Sequence, residues 1–201
     1  TSDITDATNS GLKTDTITND NTPDITGVTE AGATVTITYT DKDGLEHTAT
    51  GTADANGVYT IAITNALKDG ANSLSIAVTD TAGNEATTTQ DVTVDTSSPT
   101  ISIDADLAGD DVINASEKGQ ALTISGTTTN VENGQLVSVT IDGKTYTGEV
   151  QNNVWSVEVP AADVANFEEG LEGITADVSD VAGNAATQAT SSIEVDTAVL
   201  T

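Results

Sequence analysis

Apolar and hydroxyl-bearing residues alternate along most of this chain. Val35, Ile37 and Tyr39 fall on one side of a two-residue period, and Thr34, Thr36, Thr38 and Thr40 on the other. Alternation with threonine outside predicts half-buried antiparallel strands. Val58-Tyr59-Thr60-Ile61-Ala62-Ile63 follows the same rule and is matched by Val154-Trp155-Ser156-Val157-Glu158-Val159. Tyr59 and Trp155 therefore take equivalent places, each the large core residue of its half of the chain rather than a ligand-stacking ring.

Turn signals punctuate the alternation. Asp41-Lys42-Asp43-Gly44, Ala55-Asn56-Gly57, Lys68-Asp69-Gly70 and Ala82-Gly83-Asn84 do so in the first half. Asn133-Gly134, Asp142-Gly143, Gln151-Asn152-Asn153 and Ala182-Gly183-Asn184 do so in the second. In the second half the strands are expected near 100–105, 121–126, 136–142, 144–150, 153–159, 173–179 and 185–195. Pro160 followed by helix formers up to Phe167 interrupts them and suggests one helical turn. Seven short alternating strands per half indicate an immunoglobulin-like sandwich.

The halves are copies. Thr79-Asp80-Thr81-Ala82-Gly83-Asn84-Glu85-Ala86-Thr87 returns as Ser179-Asp180-Val181-Ala182-Gly183-Asn184-Ala185-Ala186-Thr187, and Val92-Thr93-Val94-Asp95-Thr96 as Ile193-Glu194-Val195-Asp196-Thr197. A period of about 100 residues is too long for a solenoid turn and suits an array of whole domains. The chain is thus expected to be all-β: two tandem immunoglobulin-like β-sandwich domains, 1–96 and 97–201, cut from a longer array. The linker around Asp95-Thr96-Ser97-Ser98-Pro99 is short, and its proline makes it stiffer than a Gly/Ser tether.

Composition narrows the function. Five Lys and no Arg face 32 acidic residues, for a formal net charge of −27. No basic patch can form, which argues against nucleic acid and against an anionic membrane face. One His, no Cys and no Met leave few catalytic parts and no disulfide framework. No apolar run reaches membrane-spanning length, so direct membrane insertion is not expected. No signal peptide opens the chain, which for an excised segment says little about the parent.

The densest chemistry lies in Asp104-Ala105-Asp106-Leu107-Ala108-Gly109-Asp110-Asp111-Val112-Ile113-Asn114-Ala115-Ser116-Glu117. Asp104, Asp106, Asp110, Asp111, Asn114 and Glu117 are all oxygen donors and repel one another unless a hard cation intervenes. Ca2+ accepts six to eight such oxygens at loose geometry, whereas Mg2+ demands a tighter octahedron. The spacing is not that of an EF-hand, because Ala115 stands where the closing acid belongs and strands, not helices, flank the loop. The competing reading is a solvated acidic loop. Lys13 to Pro23, with Asp15 and Asp20, is a thinner counterpart in the first copy. A second expectation places a cation at the joint between domains, held by Asp15, Asp20, linker Asp95 and Asp180 or Asn184, with Asp80 and Asn84 facing whatever precedes. The alternative for the Asp-x-Ala-Gly-Asn segments is a plain hairpin turn. His47, beside Glu46, reads as a surface residue rather than a zinc ligand. The Thr-x-Thr runs read as ordinary exposed strand positions rather than an ice- or surface-binding face.

With these residues laid out, the chain resembles the bacterial immunoglobulin-like extender repeats of giant RTX adhesins secreted by type I systems. The resemblance rests on Ile17-Thr18-Asn19-Asp20-Asn21-Thr22-Pro23 with Ile25-Thr26-Gly27, on Gly32-Ala33-Thr34-Val35-Thr36-Ile37, on both Asp-x-Ala-Gly-Asn turns and on both Val-Asp-Thr ends. Gly109 to Glu117 followed by Ile124-Ser125-Gly126 is similar to another form of the same first loop. The likeness implies a β-sandwich, calcium at loops and joints, and an extracellular place at the bacterial cell surface. It implies a spacer that holds a distal adhesion domain away from the cell, as in attachment and biofilm growth. Its partners would be neighbouring repeats of the same chain, in a monomeric rod. The likeness also suits secretion unfolded, with folding favoured where calcium is abundant. Two other classes stand beside the spacer. A module binding sugar, ice or a host surface directly would want exposed aromatics, which are scarce. An enzyme would want a pocket to raise an acid's pKa, and short loops offer none.

Overall fold

The computed structural model describes residues 2–198, and within it the chain divides into two compact units, one running to Thr96 and one beginning at Ser97. The first contains β1 (Ser2–Ile4), β2 (Ile17–Thr18), β3 (Asp24–Val28), β4 (Thr34–Thr40), β5 (Glu46–Thr52), β6 (Val58–Ala62), β7 (Gly70–Thr79) and β8 (Glu85–Val94). These form a three-stranded sheet in the order β1-β3-β6 and a five-stranded sheet in the order β2-β8-β7-β4-β5. The second contains β9 (Thr100–Ile103), β10 (Val112–Ile113), β11 (Leu122–Thr129), β12 (Leu136–Ile141), β13 (Lys144–Glu149), β14 (Val154–Val159), the helical turn α1 (Ala161–Val164), β15 (Gly170–Asp177) and β16 (Ala189–Val195). Its sheets run β9-β11-β14 and β10-β16-β15-β12-β13, position for position the order of the first unit. Regular structure in both halves is nearly all β, in sandwich-like pairs of sheets.

Each unit thus shows eight strands among the described residues where the alternation suggested seven. The first strand of each copy is split. β1 pairs antiparallel with β3 in the small sheet, and β2 then pairs parallel with β8 in the large one. β9 and β10 divide in the same way between β11 and β16. Two paired residues show no periodicity, so β2 and β10 left no trace in the pattern. α1 stands where Pro160 suggested a helical turn, with Pro160 just ahead of it.

The alternation places the cores. Val35, Ile37 and Tyr39 of β4 are buried, while the threonines between them face outward. Ile25, Ile61, Leu74, Ile76, Val92 and Val94 complete the first core; Ile124, Val139, Ile141, Val157, Phe167, Ile174 and Ile193 anchor the second. Each such side chain contributes about 1.5–3 kcal/mol on burial, the main force holding two sheets together without disulfides. Tyr59 and Trp155 are both buried, opposite Gly27 and Gly126 in their ladders. A Cβ on Gly126 would fall 2.7 Å from the Trp155 ring and collide with the Ser102 carbonyl. The missing side chain is what lets the indole lie across its partner strand.

Candidate functional site

Most acidic turn residues in the first unit have a structural occupation. Asp41, Asp54 and Asp80 each begin an Asp-x-x-Gly turn, and each accepts two backbone N–H groups on Oδ1. For Asp41 these come from Asp43 and Leu45 at 2.9 Å. For Asp54 they come from Asn56 at 2.8 Å and Val58 at 2.9 Å. For Asp80 they come from Ala82 and Asn84, both at 2.8 Å. The glycine in each turn, Gly44, Gly57 or Gly83, sits at φ between 80° and 91°, which closes a three-residue hairpin loop at no steric cost. Asp180 repeats the arrangement with Asn184, whose backbone N–H and side-chain amide both reach it at 2.8 Å. Asp-x-Ala-Gly-Asn is therefore a hairpin turn organised by its own carboxylate.

These bonds favour the ionised acid. Asp80 is held below the ordinary aspartate value by the Asn84 amide first and the backbone N–H groups next. Asp54 is lowered chiefly by the Val58 N–H. Asp41 is lowered by the Leu45 N–H and then by His47, whose Nε2 lies 2.7 Å from Oδ2. His47, read from sequence as a surface residue, is half-buried and serves this pair.

The 104–117 segment spans the split in the first strand and so crosses from the small sheet to the large one. It enters at Asp104, whose Oδ2 accepts the Ser125 hydroxyl at 2.7 Å. It then makes a tight 3-10 turn over Leu107–Gly109, with Asp106, Ala108, Gly109 and Asp111 all at positive φ. Leu107 is sunk in the core and pins the turn. Asp111 Oδ1 takes the Leu107 N–H at 2.8 Å, and Asp110 Oδ1 takes that of Val112 at 3.1 Å. After β10, Asn114 Oδ1 accepts from the Ser116 N–H and hydroxyl at 2.8 and 2.6 Å. Glu117 reaches back to the Asn114 N–H at 3.1 Å, the reciprocal bond of a capping box.

The first unit builds the second part of this loop in the same way. Asp20 Oδ1 accepts the N–H and hydroxyl of Thr22 at 2.8 and 3.0 Å, as Asn114 does from Ser116. Asp15 Oδ1 accepts the Ile17 N–H at 3.0 Å, and the Asp95 N–H donates to the Thr18 carbonyl at 2.9 Å. Among the described residues no group of three or more His, Cys, Asp or Glu side chains is gathered as a metal cluster. The oxygen donors of 104–117 suit a hard cation in kind. In this conformation Asp110, Asp111, Asn114 and Glu117 each hold a backbone N–H of their own loop with one oxygen, and Asp104 holds the Ser125 hydroxyl.

One pair of anchors had no sequence signal. Thr96 donates its hydroxyl to Asp69 Oδ1 at 2.8 Å and its N–H to the same atom at 3.2 Å. Thr197 binds Glu169 in the same way through its hydroxyl and its N–H. The threonine of each Val-Asp-Thr end thus fastens the last strand to the start of the strand beside it, across 27 or 28 residues. No local pattern announces a partner so far away.

No helix among the described residues is long and apolar enough to cross a membrane. The family profile of the bacterial Ig-like domain matches residues 1–96. A structure of a Ca2+-stabilized adhesin, with which an Antarctic bacterium reaches out and binds ice, is 30% identical over the whole chain, with a TM-score of 0.50. The chain spans half of that structure's length. A bacterial immunoglobulin-like domain from the M. primoryensis ice-binding adhesin is 36% identical and matches 49% of this chain and 98% of that one, with a TM-score of 0.38. Clostridium thermocellum CbhA fibronectin(III)-like modules share the fold alone, at 16% identity and a TM-score of 0.53, covering 90% of this chain and 88% of that one. Comparison with curated proteins finds no match. Domains of this kind are structural modules, not enzymes. The duplicated eight-strand order, the paired repeat ends and these likenesses agree: the chain belongs to the bacterial immunoglobulin-like domains.

Proposed function

We propose that this chain is a spacer segment of a large bacterial surface adhesin, holding a distal adhesion domain away from the cell, with calcium stiffening it at the acidic loops. The observation that carries the spacer reading is the duplication: two units with one strand order, in tandem. The likeness to an ice-binding adhesin supports the same setting, extracellular and among neighbouring repeats. The segment works as a monomer, since a net charge of −27 opposes self-association.

Calcium rests on three supports: the all-oxygen donor set of 104–117, the charge that a divalent ion would offset, and the neighbour described as Ca2+-stabilized. Asp104, Asp106, Asp110, Asp111, Asn114 and Glu117 would hold it, with water and carbonyls completing the shell. Binding would fix the crossing between sheets. Thermal unfolding after exhaustive chelation, then with Ca2+ or Mg2+ restored at fixed ionic strength, tests this. A site filled to a hundred times its dissociation constant adds about 2.7 kcal/mol, a shift Trp155 fluorescence would report from the second unit. Equal effects of Ca2+ and Mg2+, or none beyond a salt control, would remove calcium and leave a cation-independent spacer.

A further inference from the structure

The walls of one cleft in the first unit carry charges that do not cancel. The cleft has a volume of about 330 Å3 and opens where the turn between β4 and β5 meets the start of β7. Tyr39, Leu67 and Leu74, all buried, form its floor. Its charged lining is Asp41, Lys42 and Lys68. Asp41 is already engaged, with two backbone N–H groups on Oδ1 and His47 at Oδ2. Lys42 Nζ meets both carboxylate oxygens of Asp43 at 2.9 Å. Lys68 forms no ion pair among the described residues, and Asp69, next to it in sequence, is bound to Thr96 instead. In a chain with 32 acidic residues and 5 lysines, an unmatched ammonium on a cleft wall leaves a place for an anion from outside.

Hydrogen bonds hold both walls in place. The Lys42 N–H donates to the Ala66 carbonyl at 2.8 Å, which fixes the turn against the segment that bears Lys68. The Asn72 amide, itself buried, donates to the carbonyls of Lys68 and Gly70 at 3.0 and 2.9 Å. Neither wall has to be ordered when a ligand arrives, which removes part of the entropic cost of binding. The second copy inverts the charge. Leu67-Lys68-Asp69-Gly70 corresponds to Phe167-Glu168-Glu169-Gly170, since Leu67 and Phe167 are both buried and Asp69 and Glu169 each bind the threonine of a repeat end. Glu168 therefore stands in the place of Lys68. Asn72 and Glu172 correspond likewise, opposite Val92 and Ile193 in their ladders. Where the first unit has an ammonium and an amide, the second has two carboxylates.

We infer that this cleft is a binding site for an acidic sugar of the uronic acid class, with the Lys68 ammonium on the sugar carboxylate and the hydroxyls of Thr40 and Ser73 beside its ring. The volume suits a single ring, at the low end of ligand clefts, which run from about 300 to 1,000 Å3. Recognition reads charge and hydroxyls and needs no exposed aromatic. At physiological ionic strength charges more than about 8 Å away are largely screened, so the walls, rather than the net charge of −27, decide what enters. The site goes beyond the spacer reading and does not depend on it. Amide shifts in two-dimensional NMR of the full chain test it, with sodium galacturonate as the probe, in chelator and at constant ionic strength. The expected result is saturable shifts confined to residues 40–44 and 67–74, while the corresponding amides 167–174 of the second unit stay still. Galactose lacks the charge and acetate lacks the ring, and each should bind at least about tenfold more weakly, the worth of a hydrogen bond to a charged group. Lys68→Glu, which copies the second unit, should weaken galacturonate as much, while Lys68→Arg keeps it. Lys68 is exposed, so both variants should fold, and the dispersion of their amide signals checks this. Acetate binding as well as galacturonate would reduce the site to bare charge attraction and overturn the inference. Galactose binding as well would show that Lys68 reads nothing, with the same result. Shifts that do not saturate, or full binding by Lys68→Glu, would overturn it too. None of these outcomes bears on calcium or on the spacer reading, which chelation and thermal unfolding test separately.

Discussion

Asp80 grips Asn84 twice, taking its backbone N–H on Oδ1 at 2.8 Å and its side-chain amide on Oδ2 at 2.6 Å. Both bonds favour the carboxylate over the acid, as do those at Asp41 and Asp54. A folded pKa below the unfolded value gives stability that is present above the unfolded pKa and lost as pH falls through the folded one. The first unit should therefore lose stability on acidification below the ordinary aspartate value of 3.8. Asp54→Asn with Asp80→Asn should flatten that loss. Tyrosine near-ultraviolet dichroism against pH, in chelator, checks it; identical slopes for the two proteins would contradict the turn assignment.

Gly126→Ala should damage the second unit and spare the first. The new methyl group would meet the Trp155 ring and the Ser102 carbonyl, so either β9 detaches or the indole moves. Overpacking of this kind costs about 1–3 kcal/mol. Trp155 is the chain's one tryptophan, so its fluorescence should report an early transition while the tyrosine signal of the first unit stays in place.

Tyr146 should ionise late. Its phenol is pushed up to about 12, by desolvation first and then by its hydrogen bond to Asp163, which also holds Lys144. Asp163→Asn should bring the phenol part of the way back toward the ordinary value of 10.0, because desolvation remains. Absorbance of the phenolate during alkaline titration measures it. A titration that does not move would mean that Asp163 is not the partner.

Thr96→Val keeps the shape of the side chain and removes its hydroxyl bonds to Asp69. The expected loss is about 0.5–1 kcal/mol, a few degrees in Tm for a unit of this size. Hydrogen exchange should show it first at the C-terminal end of β8, beside Gly70.

Asp110→Asn with Asp111→Asn tests the calcium proposal without dismantling its loop. Asparagine oxygens can still accept the Val112 and Leu107 N–H groups. The apo-protein should melt at nearly the same temperature as the parent, while the calcium-dependent rise shrinks. A full rise in the variant would move calcium away from these two residues.

Much of the fold could be read from the chain because alternation is a property of neighbours. β4 and β6 and their counterparts β12 and β14 show it over five to seven residues each. The split first strand escaped because β2 and β10 are two residues long and defined by partners more than seventy positions away. Asp41-Lys42-Asp43-Gly44 and the two Asp-x-Ala-Gly-Asn segments are legible as turns because Gly and Asx are local turn formers. That Asp54 heads a turn of the same kind, and that each carboxylate closes its own loop, depends on side-chain geometry that spacing alone does not give. Thr96 and Thr197 stood out as repeat ends, yet their partners Asp69 and Glu169 did not, since long-range pairing leaves no mark in local sequence.

The correspondence between Asp20 and Asn114 separates two quantities that are easily confused. One turn is organised by a carboxylate and the other by an amide, with the same two donors from the residue two places on. The backbone asks only for an oxygen; it does not ask for a charge. Acidity is therefore a free variable of this architecture, adjustable one turn at a time without redrawing a strand. Exchanging Asp for Asn at such a turn would keep both of its hydrogen bonds and remove one negative charge from the surface.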